Sequence, residues 1–111
     1  MKRLCALIML VGFACAIGAL AQDAEDNPGK AVFDKWCTPC HGAGPGKPGT
    51  MVLEQRYGDS LPALLEERTD MTEEYLQTFV RQGIGVMPQF RKTEITDTEL
   101  TQMIEYLLAS D

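Results

Sequence analysis

The chain has 111 residues, 45% of them hydrophobic, with 10 basic residues against 16 acidic and a formal net charge of −6. That length fits a single small domain with a modest core. The acidic balance argues against nucleic acid or an anionic membrane surface as the partner.

Lys2 and Arg3 precede an uncharged, mostly apolar run from Leu4 to Ala21, which ends in the small-x-small triplet Ala19-Leu20-Ala21. This is the pattern of a secretory signal peptide, and cleavage is expected near Ala21. The competing readings are an uncleaved membrane anchor, since the run is just long enough to span a bilayer, and lipidation at Cys15. Cleavage would leave 90 residues with eight basic groups against sixteen acidic ones, because Lys2 and Arg3 go with the leader. Residues 22–28 then form an acidic tail, and residues 29–111 form the domain.

Lys30 to Trp36 has helical spacing, with Val32, Phe33 and Trp36 as its apolar members. Gly42 to Gly49 holds four glycines and two prolines in eight residues, which predicts a loop. Leu61 to Glu67 is a short helix candidate, with Ser60 as its cap and Pro62 in the first turn. Thr72 to Gln82 carries Tyr75, Leu76, Phe79 and Val80 on one face, and Gly83 stands where a helix would stop. Thr96 to Ser110 opens with the capping box Thr96-Asp97-Thr98-Glu99 and continues with the stripe Leu100, Met103, Ile104, Leu107 and Leu108. No alternating strand pattern of useful length is present. The fold class is all-α, with three to five short helices joined by long loops, and long loops in so small a domain call for a ligand that they wrap.

The chemistry concentrates in Cys37-Thr38-Pro39-Cys40-His41, which contains the chain's single histidine. A thioredoxin-type redox pair would need a strand-helix unit, and no strand is evident. Zinc would need a fourth ligand. Covalent haem attachment accounts for all three residues. The thiols of Cys37 and Cys40 add to the two vinyl groups, and the adjacent imidazole of His41 binds the iron. An exported chain reaches the compartment where c-type haem is attached. One covalently attached haem c is therefore the expected cofactor.

With the only histidine spent, the sixth ligand is sought among Met51, Met71, Met87 and Met103. Met103 lies on a helical stripe, and Met71 sits before a helix cap. Met51 is close in sequence to His41 and would have to reach the opposite face of the ring. Met87 lies in the loop Gly83-Ile84-Gly85-Val86-Met87-Pro88, 46 residues after His41. Its neighbouring glycines let the backbone turn, and Pro88 stiffens the position after it. Met87 is the candidate axial ligand. A His/Met pair raises the reduction potential.

Gly29, Phe33, the Cys37–His41 pentapeptide, the Gly/Pro loop, Met87-Pro88 and Tyr106 together resemble the small class I c-type cytochromes, over nearly all of residues 28–109. The resemblance implies the cytochrome c fold around one haem, with Gly29, Phe33 and Tyr106 at the crossing of the first and last helices. It also implies a proline carbonyl, from Pro45 or Pro48, that accepts the second N–H of His41. Such an acceptor would orient the ring and raise its basicity. The stretch from Leu65 to Phe90 further resembles the cytochrome subunits of periplasmic flavocytochromes that hydroxylate p-alkylphenols.

The resulting reading is a periplasmic one-electron carrier rather than an enzyme. Its partners would be a flavin or quinone dehydrogenase as donor and an oxidase or another cytochrome as acceptor. The alternative is a tightly bound cytochrome subunit of such a dehydrogenase. A haem enzyme or gas sensor would need an iron site free of Met87. Cys37, Thr38, Pro39, Val86 and Pro88 are expected at the haem edge. Glu66, Glu67, Asp70, Glu73 and Glu74 form an acidic run that could steer a partner, and Arg91 and Lys92 could face a propionate. The expected pocket and core residues are Val52, Leu53, Leu61, Leu64, Leu65, Leu76, Phe79, Val80, Ile84, Phe90, Ile104 and Leu107.

Overall fold

The computed structural model describes residues 26–109. The leader reading for residues 1–21 lies outside them, as does Ser110. Five α-helices follow in chain order: α1 (Pro28–Trp36), α2 (Thr38–His41), α3 (Pro48–Tyr57), α4 (Glu73–Gln82) and α5 (Asp97–Leu108). Single 3-10 turns occupy Gly58–Ser60 and Leu65–Glu67. The described residues contain no strand, only an isolated bridge between Ile84 and Met87. No helix among them is long and apolar enough to cross a membrane.

Local chemistry explains the helix starts. Asn27 caps α1, its Oδ1 accepting from the backbone N–H of Gly29 (2.9 Å) and Lys30 (3.3 Å), with Pro28 in the first turn. Thr72 caps α4 through the Tyr75 N–H, and Gly83, at φ 68°, ends it. Thr96 and Glu99 complete the expected capping box on α5.

Two expectations are corrected. Leu61 to Glu67 is not a helix. Leu61 is extended (φ −145°, ψ 145°), because the ring of Pro62 disfavours the helical conformation in the residue before it. Ser60 Oγ turns back to donate to the Tyr57 carbonyl at 2.5 Å instead of capping forward. The Gly/Pro stretch ends at Lys47 rather than Gly49, because Pro48 opens α3 with its φ already set for a helix. Periodicity gave no hint of α3, which buries none of its residues.

The packing centre is the pair α1 and α5. A Cβ placed on Gly29 would lie 2.0 Å from the Gln102 carbonyl oxygen and 2.8 Å from Tyr106 Cβ, so the two backbones touch there. Phe33 stacks beside the crossing, its ring centroid 5.9 Å from that of Tyr106. Val32, Phe33, Met71, Leu76, Val80, Ile95, Leu100, Met103, Ile104 and Leu107 form the buried cluster. Leu76, Val80, Ile104 and Leu107 were expected there. Val52 and Ile84 were also expected, yet both are more than half exposed. Ile95, fully buried, carried no periodic signal because it lies between helices.

Arg68 is the one buried charged residue among those described. Its Nε and Nη2 donate to the two carboxylate oxygens of Asp70 (2.8 and 2.6 Å), and its guanidinium lies 4.9 Å from the Tyr57 ring centroid. This fork geometry suits arginine and would not suit lysine.

Two predictions follow from this packing. Gly29→Ala forces the α1–α5 crossing apart and should cost about 2 kcal/mol or more, seen as a lower denaturation midpoint at unchanged slope. Hydrogen bonds from Arg68 hold the Asp70 carboxyl below its ordinary pKa. The stability this contributes is fully present above the unfolded value, about 3.9, and is lost as pH falls through the lower folded value. Asp70→Asn should therefore flatten part of the acid limb of a stability-against-pH curve.

Candidate functional site

The Cys37–His41 segment continues directly from α1. The Cys37 N–H still donates to Phe33 O (2.8 Å), and the Cys37 carbonyl then accepts from both Cys40 N (3.0 Å) and His41 N (2.8 Å). Cys37, Cys40 and His41 thus share one helical turn, fastened to the helix that packs on α5. Both thiols are free, Cys40 exposed and Cys37 half-buried. Burial, helped by the neighbouring Cys40, pushes the Cys37 thiol up to about 12.

Burial also lowers the pKa of His41. The imidazole is therefore kept neutral, the form that binds a metal. Its ring is seated by backbone. A Cβ on Gly49 would lie 2.7 Å from His41 Cε1 and 2.8 Å from Nδ1, so only glycine fits there without displacing the ring. Thr50 Oγ1 donates to the Gly42 carbonyl (2.9 Å) and closes the loop that brings Gly49 back. His41 Nδ1 is buried with no hydrogen-bond partner. The expected acceptance by a proline carbonyl, from Pro45 or Pro48, is not made. The reason at Pro48 is its place in the first turn of α3, where a carbonyl points along the axis toward the N–H four residues on. Pro48 acts instead by starting the helix that seats Gly49.

Met87 sits in a nested loop. Ile84 N donates to Met87 O (3.1 Å), and Met87 N donates to Ile84 O (2.9 Å). Gly83 and Gly85 take positive φ (68° and 57°), and a Cβ on Gly83 would lie 2.6 Å from Met87 O. The base is closed by Phe90 N donating to Val80 O (2.9 Å). Met87 and Cys37 both pack against the buried cluster. Of the other methionines, Met71 and Met103 are core residues (7% and 1% exposed) and Met51 is 58% exposed. Their placement suits packing for the first two and leaves Met87 as the half-buried, loop-presented thioether.

Sequence reasoning missed two residues of the surroundings. Trp36 packs edge-on against Phe90 with ring centroids 5.8 Å apart, which ties the cysteine segment to the exit of the methionine loop. Its Nε1 is buried without a partner. Arg81 donates to the carbonyls of Phe90 (3.0 Å) and Ile95 (2.9 Å) and to Asp97 (2.9 Å). Arg91 and Lys92, considered for a propionate, lie in surface ion pairs with Glu94 and Asp97.

The donor set fits a c-type haem. Two free thiols share one helical turn with a neutral, half-buried imidazole seated against Gly49, and a thioether is held in a shaped loop. Around them are exposed apolar groups that want a cover: Met51 and Val52 on α3, Ile84 and Val86 in the loop, the last 91% exposed. No cluster of three or more His, Cys, Asp or Glu suited to a bare metal ion occurs among the described residues.

Comparison with known proteins agrees with this chemistry. The family described as cytochrome c oxidase, cbb3-type, subunit III matches residues 24–107. The chain is 33% identical over 101 residues to the cytochrome c subunit of 4-cresol dehydrogenase (hydroxylating) from Pseudomonas putida, covering 91% of this chain and 76% of that protein. No solved structure matches significantly.

Gly49→Ala is expected to push the His41 ring off its seat. The contact is tighter than side chains tolerate, and the yield of coloured protein from exporting cells should fall severalfold. Ala43→Ser, at an exposed position of the same loop, should leave the yield unchanged.

Proposed function

The chain belongs to the cytochrome c family matched over residues 24–107, and from that membership we propose that it carries one covalently attached haem c and accepts electrons from a dehydrogenase outside the cytoplasm. Electron transfer is the role its family and its relative share. In this reading the protein is the electron-accepting partner and turns over no substrate itself.

Cys37 and Cys40 would hold the group by thioether bonds, and His41 and Met87 would be the axial ligands. A bound c-type haem supplies one-electron chemistry by cycling between ferric and ferrous iron. The residues do the rest. The Cys37 carbonyl holds the backbone N–H of His41, and the Gly49 backbone packs against its imidazole ring. The nested hydrogen bonds of Ile84 and Met87 hold the sulfur in a shape already present in the chain. Because the chain itself prepositions these groups, binding of the iron by His41 and Met87 would ask little rearrangement of the polypeptide when the oxidation state changes. Val86, Pro88, Pro39 and Cys40 are each exposed and would be available to a brief encounter at the edge of the bound group.

The observation that carries this reading is the single helical turn that brings two free thiols and a neutral imidazole together at the end of α1. The donor would be a flavoprotein or quinoprotein dehydrogenase, and the acceptor an oxidase or another cytochrome. The likeness to a cytochrome c subunit of a hydroxylating dehydrogenase favours stable association over free shuttling. Co-purification with a dehydrogenase that persists at high salt supports the subunit form, and loss of the partner with salt supports the shuttle.

The purified protein should be coloured, and its denatured mass should exceed the polypeptide by that of one haem. Met87→Ala should abolish the far-red sulfur-to-iron band of the oxidised protein and lower its reduction potential, within the roughly 0.8 V range that axial ligands control. Covalent haem without that band in the wild type would exclude Met87 as ligand.

A further inference from the structure

The methionine loop leaves α4 at Gly83 and returns at Phe90, so the place of the Met87 sulfur depends on what anchors Phe90. The backbone N–H of Phe90 is held by Val80 O (2.9 Å). Its carbonyl is held by Arg81 Nη1 (3.0 Å), and the same nitrogen also donates to the carbonyl of the fully buried Ile95 (2.9 Å). Arg81 Nη2 continues to Asp97 Oδ1 (2.9 Å), in the first turn of α5. One guanidinium therefore joins the last turn of α4, the exit of the methionine loop, the end of the segment after it and the start of α5. The Arg81 side chain is only 21% exposed. Hydrogen bonds from a charged donor in such a setting are stronger than neutral ones. The aromatic ring of Phe90, held by this clamp, packs edge-on against Trp36, next to Cys37. The clamp thus also couples the loop to the segment that bears the cysteines and His41.

We propose that Arg81 is a positioning residue for the Met87 sulfur, fixing the base of its loop so that the thioether outcompetes external ligands for the iron. This rests on the His41/Met87 ligation put forward above. A thioether is a weak neutral ligand, and its hold on the metal depends on how fully the loop populates the ligating position. An external ligand binds only the population in which the sulfur has left, so its apparent affinity reports that population. Lysine cannot replace arginine here. A single ammonium does not span two carbonyls and a carboxylate in a fixed fork.

The test uses the mature haem-loaded protein with Arg81→Lys, Arg81→Met and Asp97→Asn, oxidised and held well below the unfolding temperature. Added imidazole is titrated against loss of the far-red band, and thermal unfolding is recorded alongside. Arg81→Lys and Arg81→Met should bind imidazole roughly tenfold more tightly than wild type or better, the loss of one charge-assisted hydrogen bond. Asp97→Asn removes the carboxylate partner but leaves both carbonyl contacts, so its imidazole affinity should stay close to that of wild type. A purely structural role would lower the unfolding temperature of the arginine variants without changing imidazole affinity, and that result overturns the proposal. Where Arg81→Met yields no folded holoprotein, Arg81→Lys decides, since it keeps the charge opposite Asp97. A wild-type protein lacking the band overturns the Met87 assignment and this inference together. A wild type that shows the band, beside an Arg81→Lys protein with unaltered imidazole affinity, overturns the role of Arg81 alone.

Discussion

The contact on which the structure depends is the backbone crossing of α1 over α5 at Gly29. No side chain fits between Gly29 and the Gln102 carbonyl, and the Phe33–Tyr106 pair packs alongside. This crossing sets the frame for both functional segments. The cysteine turn extends α1 without a break, through the Cys37 N–H to Phe33 O bond. The methionine loop is tied to the start of α5 through Arg81 and Asp97. Two segments that bear the candidate ligands, far apart in sequence, are thus referenced to one pair of helices. Close packing transmits a displacement at the crossing to both of them.

The acidic run mixes internal hydrogen bonds with open charge. Of the acidic run from Glu66 to Glu74, Glu66 accepts from the Tyr106 hydroxyl, Asp70 from Arg68 and Glu73 from Gln77. The Tyr106 hydroxyl is raised in pKa by burial and by Glu66, which keeps it a donor. Glu66 thereby ties the segment between α3 and α4 to α5, while Glu67, Asp70, Glu73 and Glu74 remain exposed and keep the run available to a partner drawn by negative charge. The net charge of −6 still shapes the long-range approach.

Much of this was legible in the sequence, for identifiable reasons. α4 and α5 carry amphipathic stripes and explicit caps, so periodicity and Thr72, Gly83, Thr96 and Glu99 located them. The Cys37–His41 pentapeptide and the glycine-flanked Met87 mark the candidate site by their spacing. α3 was illegible because a helix with no buried face leaves no stripe, and its only marker was Pro48 at the first position. The region from Leu61 to Glu67 looked helical by composition, but Pro62 decided its backbone. Arg81 carries no signal of its own in the sequence. Its importance comes from two carbonyls nine and fourteen residues away, which no local pattern encodes.

The absence of buried residues on α3 has an energetic consequence. A ten-residue helix contributes little stability on propensity alone, since helices of that length are marginal unless one face is packed. The buried cluster draws its residues from α1, α4, α5 and the segments flanking α4, and α3 supplies none of them. Yet α3 carries Met51 and Val52 outward and begins at the residues that seat the His41 ring. Ile84 and Val86 are similarly uncovered in the methionine loop. Apolar surface left open beside both candidate ligands is what a domain looks like when part of its core is not polypeptide. A large planar apolar group fastened at Cys37 and Cys40 would bury such surface at about 25 cal/mol per Å². Folding of α3 and binding of the group would then be one coupled event, so that the cofactor completes the hydrophobic core as well as supplying the redox chemistry.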